Sequence, residues 1–199
     1  MKVWYGTNRD FNYKKCKGIR SYLPVPELQN EQIIEAAKVI NSSKKPLIVW
    51  GQGIILAEAE NEFREFVENS GIPAVWTILG LSGLPTEHPL NMGMVGMHGN
   101  YGPNVLTNEC DVLIAVGMRF DDRVTGNLES YAKQAKIVHL EIDPAEISKN
   151  VFAHFPILGD CKESLKKLSN LISKKSLENW IGLFDKHMQI EYKSVIEKD

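Results

Sequence analysis

Two rhythms of apolar residues alternate along this chain, and their order sets its architecture. From Asn30 onward, Ile33, Ile34, Ala37, Val39 and Ile40 fall at the spacing of a helix with one buried side, which Lys44-Lys45-Pro46 stops. Pro46-Leu-Ile-Val-Trp50 is then a short, unbroken apolar run, the mark of a strand covered on both faces, and it ends in Gly51-Gln-Gly53. A helix is predicted from about Leu56 to Asn69, with Phe63, Phe66 and Val67 on its inner face and Gly71 as terminator. Ile72-Pro-Ala-Val-Trp-Thr77 predicts a second strand, leading into Leu79-Gly80-Leu-Ser-Gly83. Asn104 to Asn108 predicts a short helix. The clearest strand is residues 112 to 116, which are rich in valine and isoleucine and carry no polar residue on either face. Ile137-Val-His-Leu-Glu-Ile142 predicts the next strand, followed by Asp143-Pro144 as a helix-start signal. Phe155-Pro-Ile-Leu158 predicts the last, closing on Gly159-Asp160. Leu165, Leu168, Leu171 and Ile172 then mark one amphipathic helix, and Trp180, Leu183, Phe184 and Met188 another.

Strands alternating with helices at this spacing predict an α/β fold: a doubly wound parallel sheet of about six strands, Rossmann-like, with helices on both faces. Residues 29–174 form the predicted nucleotide-binding domain. Residues 1–28, with Pro24 and Pro26 and no sustained periodicity, predict an N-terminal linker, and residues 175–199 a helical linker at the other end. In such a sheet the strand ends at Gly53, Thr77, Gly117, Asp143 and Asp160 collect along one edge. Ligands of open α/β sheets bind beyond that edge.

Composition narrows the field. The 199 residues are 43% hydrophobic and 24% charged, with a formal net charge of −2. That balance gives no reason to expect nucleic acid, and Lys14, Lys15, Lys17 and Arg20 predict a solvated segment. No apolar run approaches the roughly 20 residues of a membrane span, and no signal peptide is visible. Cys16, Cys110 and Cys161 form neither a disulfide framework nor a metal pattern, so a cytoplasmic location and no protein-ligated metal are expected.

Polar chemistry concentrates at the predicted edge. Gly93, Gly96, Gly99 and Gly102 recur at every third position, which builds either a tight surface loop or a cofactor cradle. Gly51-Gln-Gly53 opens like a dinucleotide fingerprint, but Leu56 stands where a third glycine belongs. A turn feeding a helix still presents backbone N–H groups to an anion. Glu141 and Asp143 can accept hydrogen bonds from ribose hydroxyls, while Asp143 before Pro144 is equally a helix cap. Arg119 and Arg123 can pair bidentately with phosphate or carboxylate, and Asp121 and Asp122 either orient them or form a surface ion-pair cluster. Ser82, Ser130 and the cysteines lie in no nucleophile elbow. His98, between glycines, fits packing against a flat ring better than proton transfer. The residues describe a holder of a nucleotide-like cofactor rather than a complete catalyst.

Four segments carry a family likeness: Gly96-Met-His-Gly99, Gly117-Met-Arg-Phe-Asp-Asp-Arg-Val-Thr-Gly126, Ile142-Asp-Pro-Ala-Glu-Ile147 and Gly159-Asp160. They resemble the central domain of the acetolactate synthases (acetohydroxyacid synthases), thiamine-diphosphate-dependent enzymes, over about Glu27 to Leu171. The resemblance implies a middle domain that binds FAD in a mainly structural role, between flanking domains that bind thiamine diphosphate and Mg²⁺. It implies an overall reaction that decarboxylates pyruvate and joins the two-carbon unit to a second 2-keto acid, in branched-chain amino acid biosynthesis. It further implies a fragment that is inactive alone, a homodimer or homotetramer when intact, and a possible small regulatory subunit. Matched position by position, Gly51 and Gly53 resemble the phosphate and ribose turn, and Thr77, Ile78, Leu79, Gly96, Met97 and His98 the flavin-side contacts. Gly117, Arg119, Asp121 and Val124 resemble the part that tracks the ribityl and pyrophosphate chain, and Glu141, Ile142, Asp160 and Cys161 the adenosine end. Arg123 resembles an arginine that reaches the catalytic cleft near the second keto acid. Gln52 and Glu146 depart from the family pattern. A stand-alone nucleotide-binding or interaction domain, an NAD-dependent deacetylase and another thiamine enzyme are the competing readings.

Overall fold

The structure, a computed structural model, describes residues 24–197. Most of the predicted N-terminal linker, the lysine cluster and Cys16 therefore lie outside the described residues. Six strands form one all-parallel sheet in the order β3-β2-β1-β4-β5-β6. They are β1 (Pro46–Trp50), β2 (Ala74–Trp76), β3 (Asn91–Met94), β4 (Val112–Val116), β5 (Lys136–Glu141) and β6 (Phe155–Leu158). The predicted doubly wound sheet is the observed one.

Because successive strand residues face opposite ways, β1 and β4 feed two separate cores. Ile48, Trp50, Ile114 and Val116 pack against α1 (Asn30–Ser42), α3 (Glu60–Ser70) and α6 (Cys161–Ser169). Leu47, Val49, Leu113 and Ala115 pack on the other face with Leu106 of α4 (Tyr101–Thr107) and with Trp180 and Phe184 of α7 (Glu178–Glu191). Trp180 also donates its indole N–H to the Pro46 carbonyl at 2.8 Å, fastening α7 to the start of β1. All five residues of β1 and all five of β4 are buried, as their unbroken apolar runs predict.

Four elements differ from expectation. In α1 the predicted Ile33, Ala37, Val39 and Ile40 are buried, but Ile34 is 44% exposed and Ala36 joins the inner face in its place. The helix predicted from Leu56 to Asn69 is two helices, α2 (Gly53–Leu56) and α3, divided at Ala57 to Ala59 where Glu58 adopts φ +50°. No helix follows Asp143-Pro144; the Asp143 carboxylate accepts the Ala145 N–H at 2.9 Å and caps a run of turns instead. β3 falls within the glycine-rich stretch that sequence pattern assigns to a loop.

Candidate functional site

The strand order reverses between β1 and β4, and the chain leaves those two neighbours toward opposite sides of the sheet. Crevices form at such switch points. Here a cleft of about 640 Å³ opens beyond the carboxyl ends of the strands, within the size range of small-molecule sites. Its floor is the seam where the turns after β1 and β4 meet. Gly51 N–H continues the ladder to the Val116 carbonyl at 3.1 Å, and Gly53 N–H reaches the Gly117 carbonyl at 2.8 Å. With Ile54 N–H given to the Gly51 carbonyl at 3.3 Å, the turn spends these three donors internally. The Gly51, Gly53 and Ile54 N–H groups are therefore not offered to an anion.

Of the seventeen site positions predicted from sequence, Arg123 included, sixteen line this cleft, and Gly96 does not. Gly51 and Gly53 form one side of the floor and Gly117 the other. Thr77 is buried and donates its backbone N–H to the Trp50 carbonyl at 2.9 Å, after which Ile78 and Leu79 project from a 3₁₀ turn. Met97 and His98 follow β3, both exposed. With Leu56, these side chains make an apolar rim: Leu56, Ile78, Leu79 and Met97 are each more than 60% exposed. A contiguous apolar rim around a cleft marks a surface built to be covered.

The opposite wall is the turn Arg119 to Thr125. Asp121 caps α5 (Asp122–Thr125), its carboxylate accepting Arg123 N–H at 3.0 Å and its carbonyl accepting Thr125 N–H at 2.9 Å. This turn holds its own shape and leaves both arginine side chains mostly in solvent. Arg119 lies 3.9 Å from Asp121 and Arg123 3.9 Å from Asp122, exposed pairs that restrain the guanidinium groups only weakly. Both remain available to an anionic ligand.

At the far end, Glu141 turns back on its own chain, with one carboxylate oxygen accepting Ile142 N–H at 2.9 Å and Asp143 N–H at 3.2 Å. Asp160 caps α6 through Glu163 N–H at 3.1 Å, and Cys161 sits beside it in the wall. Burial, and then the charges of Glu141 and Asp160, push the Cys161 thiol up to about 12, so it is a neutral wall group. Ala57, Met94, Val95 and Met118 also line the cleft. Sequence pattern passes over these four because an apolar residue in a loop looks like any other core residue.

Behind the wall lies His139, fully buried, with Nε2 2.9 Å from the Met118 carbonyl and 3.8 Å from Glu141. Burial lowers its pKa below the ordinary 6.5, outweighing the opposing pull of the Met118 carbonyl, Glu141 and Glu146. Below that value the unfolded chain binds a proton that the folded chain refuses. Stability contributed by the neutral ring is therefore complete above pH 6.5 and drains as pH falls toward the lower folded value. Urea unfolding between about pH 8 and about pH 5 is expected to show this fall, and a shallower one in His139→Gln. Equal slopes in the two proteins would show that the imidazole does not contribute to it.

Comparison with known proteins gives this geometry a lineage. A family model described as "Thiamine pyrophosphate enzyme, central domain" matches residues 33–168. The chain belongs to that family. Curated relatives of this central domain include the acetolactate synthase large subunit of Buchnera aphidicola, 40% identical over 94% of this chain and 34% of the relative. A probable acetolactate synthase large subunit of Methanocaldococcus jannaschii is 48% identical over 75% of the chain and 26% of its own length. The Corynebacterium glutamicum acetolactate synthase large subunit is 44% identical over 80% of the chain and 25% of its own length. The central domain described here thus spans between a quarter and about a third of the relatives it matches. Among the described residues no helix is long and apolar enough to cross a membrane.

Proposed function

We propose that the cleft holds FAD, and that this chain is the FAD-bearing middle domain of an acetolactate synthase large subunit. The observation that carries this reading is the all-glycine floor where the turns after β1 and β4 touch. A Cβ on Gly53 would lie 2.5 Å from the Gly117 Cα, so the two turns pack backbone to backbone and these glycines raise no side chain into the cleft. The apolar rim suits an isoalloxazine ring, Arg119 suits a pyrophosphate, and the second carboxylate oxygen of Glu141 suits a ribose hydroxyl. FAD here supplies a structural wedge rather than the bond-making chemistry.

In the intact enzyme, flanking domains hold thiamine diphosphate and Mg²⁺, where pyruvate is decarboxylated and its two-carbon unit joined to a second 2-keto acid. A homodimer or homotetramer and a small regulatory subunit complete the assembly. This chain contributes position and charge. Arg123, exposed at the cleft mouth, pairs with the carboxylate of the second keto acid, and Met97 with Ile78 and Leu79 keep water from the flavin face.

Titrating the chain into FAD and following flavin fluorescence tests the cofactor assignment. Saturable quenching with a dissociation constant of roughly micromolar or weaker is expected, since this domain supplies one sheet edge and no lid. FAD fluorescence unchanged at saturating protein would refute it. In an intact subunit, Arg123→Ala is expected to lower turnover by about 10²-fold while bound flavin stays stoichiometric. Loss of flavin in that variant would place the arginine on the cofactor side instead.

A further inference from the structure

We propose that Asn104 is a positioning residue, which holds the cleft wall at Met97 and Arg123 in place through Gly96. Asparagine is a poor residue for the middle of a helix, yet Asn104 sits inside α4 and turns its carboxamide away from the helix. Its Oδ1 accepts Gly96 N–H at 2.9 Å, and its Nδ2 donates to the Gly96 carbonyl at 2.9 Å. One side chain thereby engages both backbone groups of a single residue, as a neighbouring strand would, and the Gly96 carbonyl also accepts Gly99 N–H at 2.9 Å. A strand is what this segment lacks: β3 ends at Met94, and the last ladder bond runs from Val95 N–H to the Trp76 carbonyl at 2.9 Å.

The other side of the same segment faces α5. Met97 N–H donates to the Arg123 carbonyl at 2.7 Å, and a Cβ on Gly96 would come within 2.7 Å of that oxygen. Gly96 takes φ +111°, a conformation that keeps its peptide flat between the two. The order of contact is therefore α4, Asn104, Gly96, Met97, Arg123. Gly96, which lies outside the cleft, is explained by this role as the link between the helix and the wall. The helix is itself tied down from α7, since the Glu191 carboxylate accepts Tyr101 N–H at 3.1 Å and the Asn100 side-chain amide at 3.4 Å. Asn104 does not line the cleft. It acts through Met97 and Arg123.

The placement of the wall stands on these contacts alone, while its consequence for flavin rests on the function proposed above. Amide hydrogen exchange of the full chain without ligand separates the two. In Asn104→Ala, and in the isosteric Asn104→Asp, which keeps the acceptor and loses the donor, the Met97 amide is expected to exchange roughly tenfold faster or more. Asn108→Ala is the control: at the C-terminal cap of the same helix it also loses two side-chain bonds, to Ala132 N–H at 2.7 Å and to the Asn104 carbonyl at 3.3 Å. It is expected to leave Met97 exchange unchanged at a similar loss of stability. Unchanged Met97 exchange in both Asn104 variants, or an equal rise in Asn108→Ala, would overturn the proposal. FAD affinity is expected to fall roughly tenfold in the Asn104 variants and not in the control. A wild-type chain that binds no FAD would refute the cofactor reading, and the exchange data would still decide on Asn104.

Discussion

Replacing Gly117 by alanine is expected to abolish flavin binding and to lower the unfolding free energy by about 2–4 kcal/mol. Gly117 has φ +55°, a left-handed conformation that disfavours any residue with a side chain. Its added Cβ would also lie 2.8 Å from the Gly53 Cα, 2.9 Å from the Gly53 carbonyl carbon and 3.0 Å from Ile54 N. All three are backbone atoms, so no rotamer change relieves the clash. The two turns must move apart, which breaks the 2.8 Å bond from Gly53 N–H to the Gly117 carbonyl and lifts the floor into the ligand's place. Urea unfolding and flavin titration measure the two effects separately. A variant that unfolds within about 0.5 kcal/mol of the parent and still quenches flavin would show that the floor is not closed as described.

Trp50→Ala is expected to cost about 3–5 kcal/mol, a large part of the 5–15 kcal/mol that holds a typical domain together. Trp50 is fully buried at the end of β1, with its ring centroid 5.1 Å from that of Phe63. Its indole N–H donates to the Gly80 carbonyl at 2.7 Å, and Gly83 packs so closely that a Cβ there would lie 2.7 Å from the same nitrogen. The tryptophan thus fastens the 3₁₀ turn that presents Ile78 and Leu79 to the cleft. Trp50→Phe keeps most of the ring packing but leaves the Gly80 carbonyl without its partner, and should cost about 1–3 kcal/mol. Weaker flavin binding in Trp50→Phe than its stability loss explains is the expected signature, read by titration well below the unfolding midpoint. Unaltered flavin affinity would mean the turn holds its place without the tryptophan.

Elements with a strong local rhythm were legible before any coordinates. β1 and β4 are five-residue apolar runs that only a doubly covered parallel strand explains, and they fixed the sheet class. β3 was not legible: Asn91-Met-Gly-Met94 is a half-exposed edge strand with a glycine inside and no β-branched residue, so only its pairing with β2 reveals it. The break at Glu58 is hidden because the residues around it suit a helix and none of them is a glycine that would signal the left-handed turn there. In the cleft, loop glycines and charges stood out while Met94, Val95 and Met118 did not, since apolar side chains carry no sign of which surface they face. Asn104 shows the converse limit. Its residue type hints at a helix boundary, and only geometry shows that it grips Gly96.

The register that pairs Pro46 with Val112 and Trp50 with Val116 also dictates an order of assembly. These two strands are neighbours in the sheet but are separated along the chain by α2, α3, β2, β3 and α4, so their pairing closes a long loop. A flavin nucleotide therefore meets the seam of Gly53 and Gly117 only once that pairing has formed. It can only join a finished sheet, as a latecomer that locks an edifice already standing.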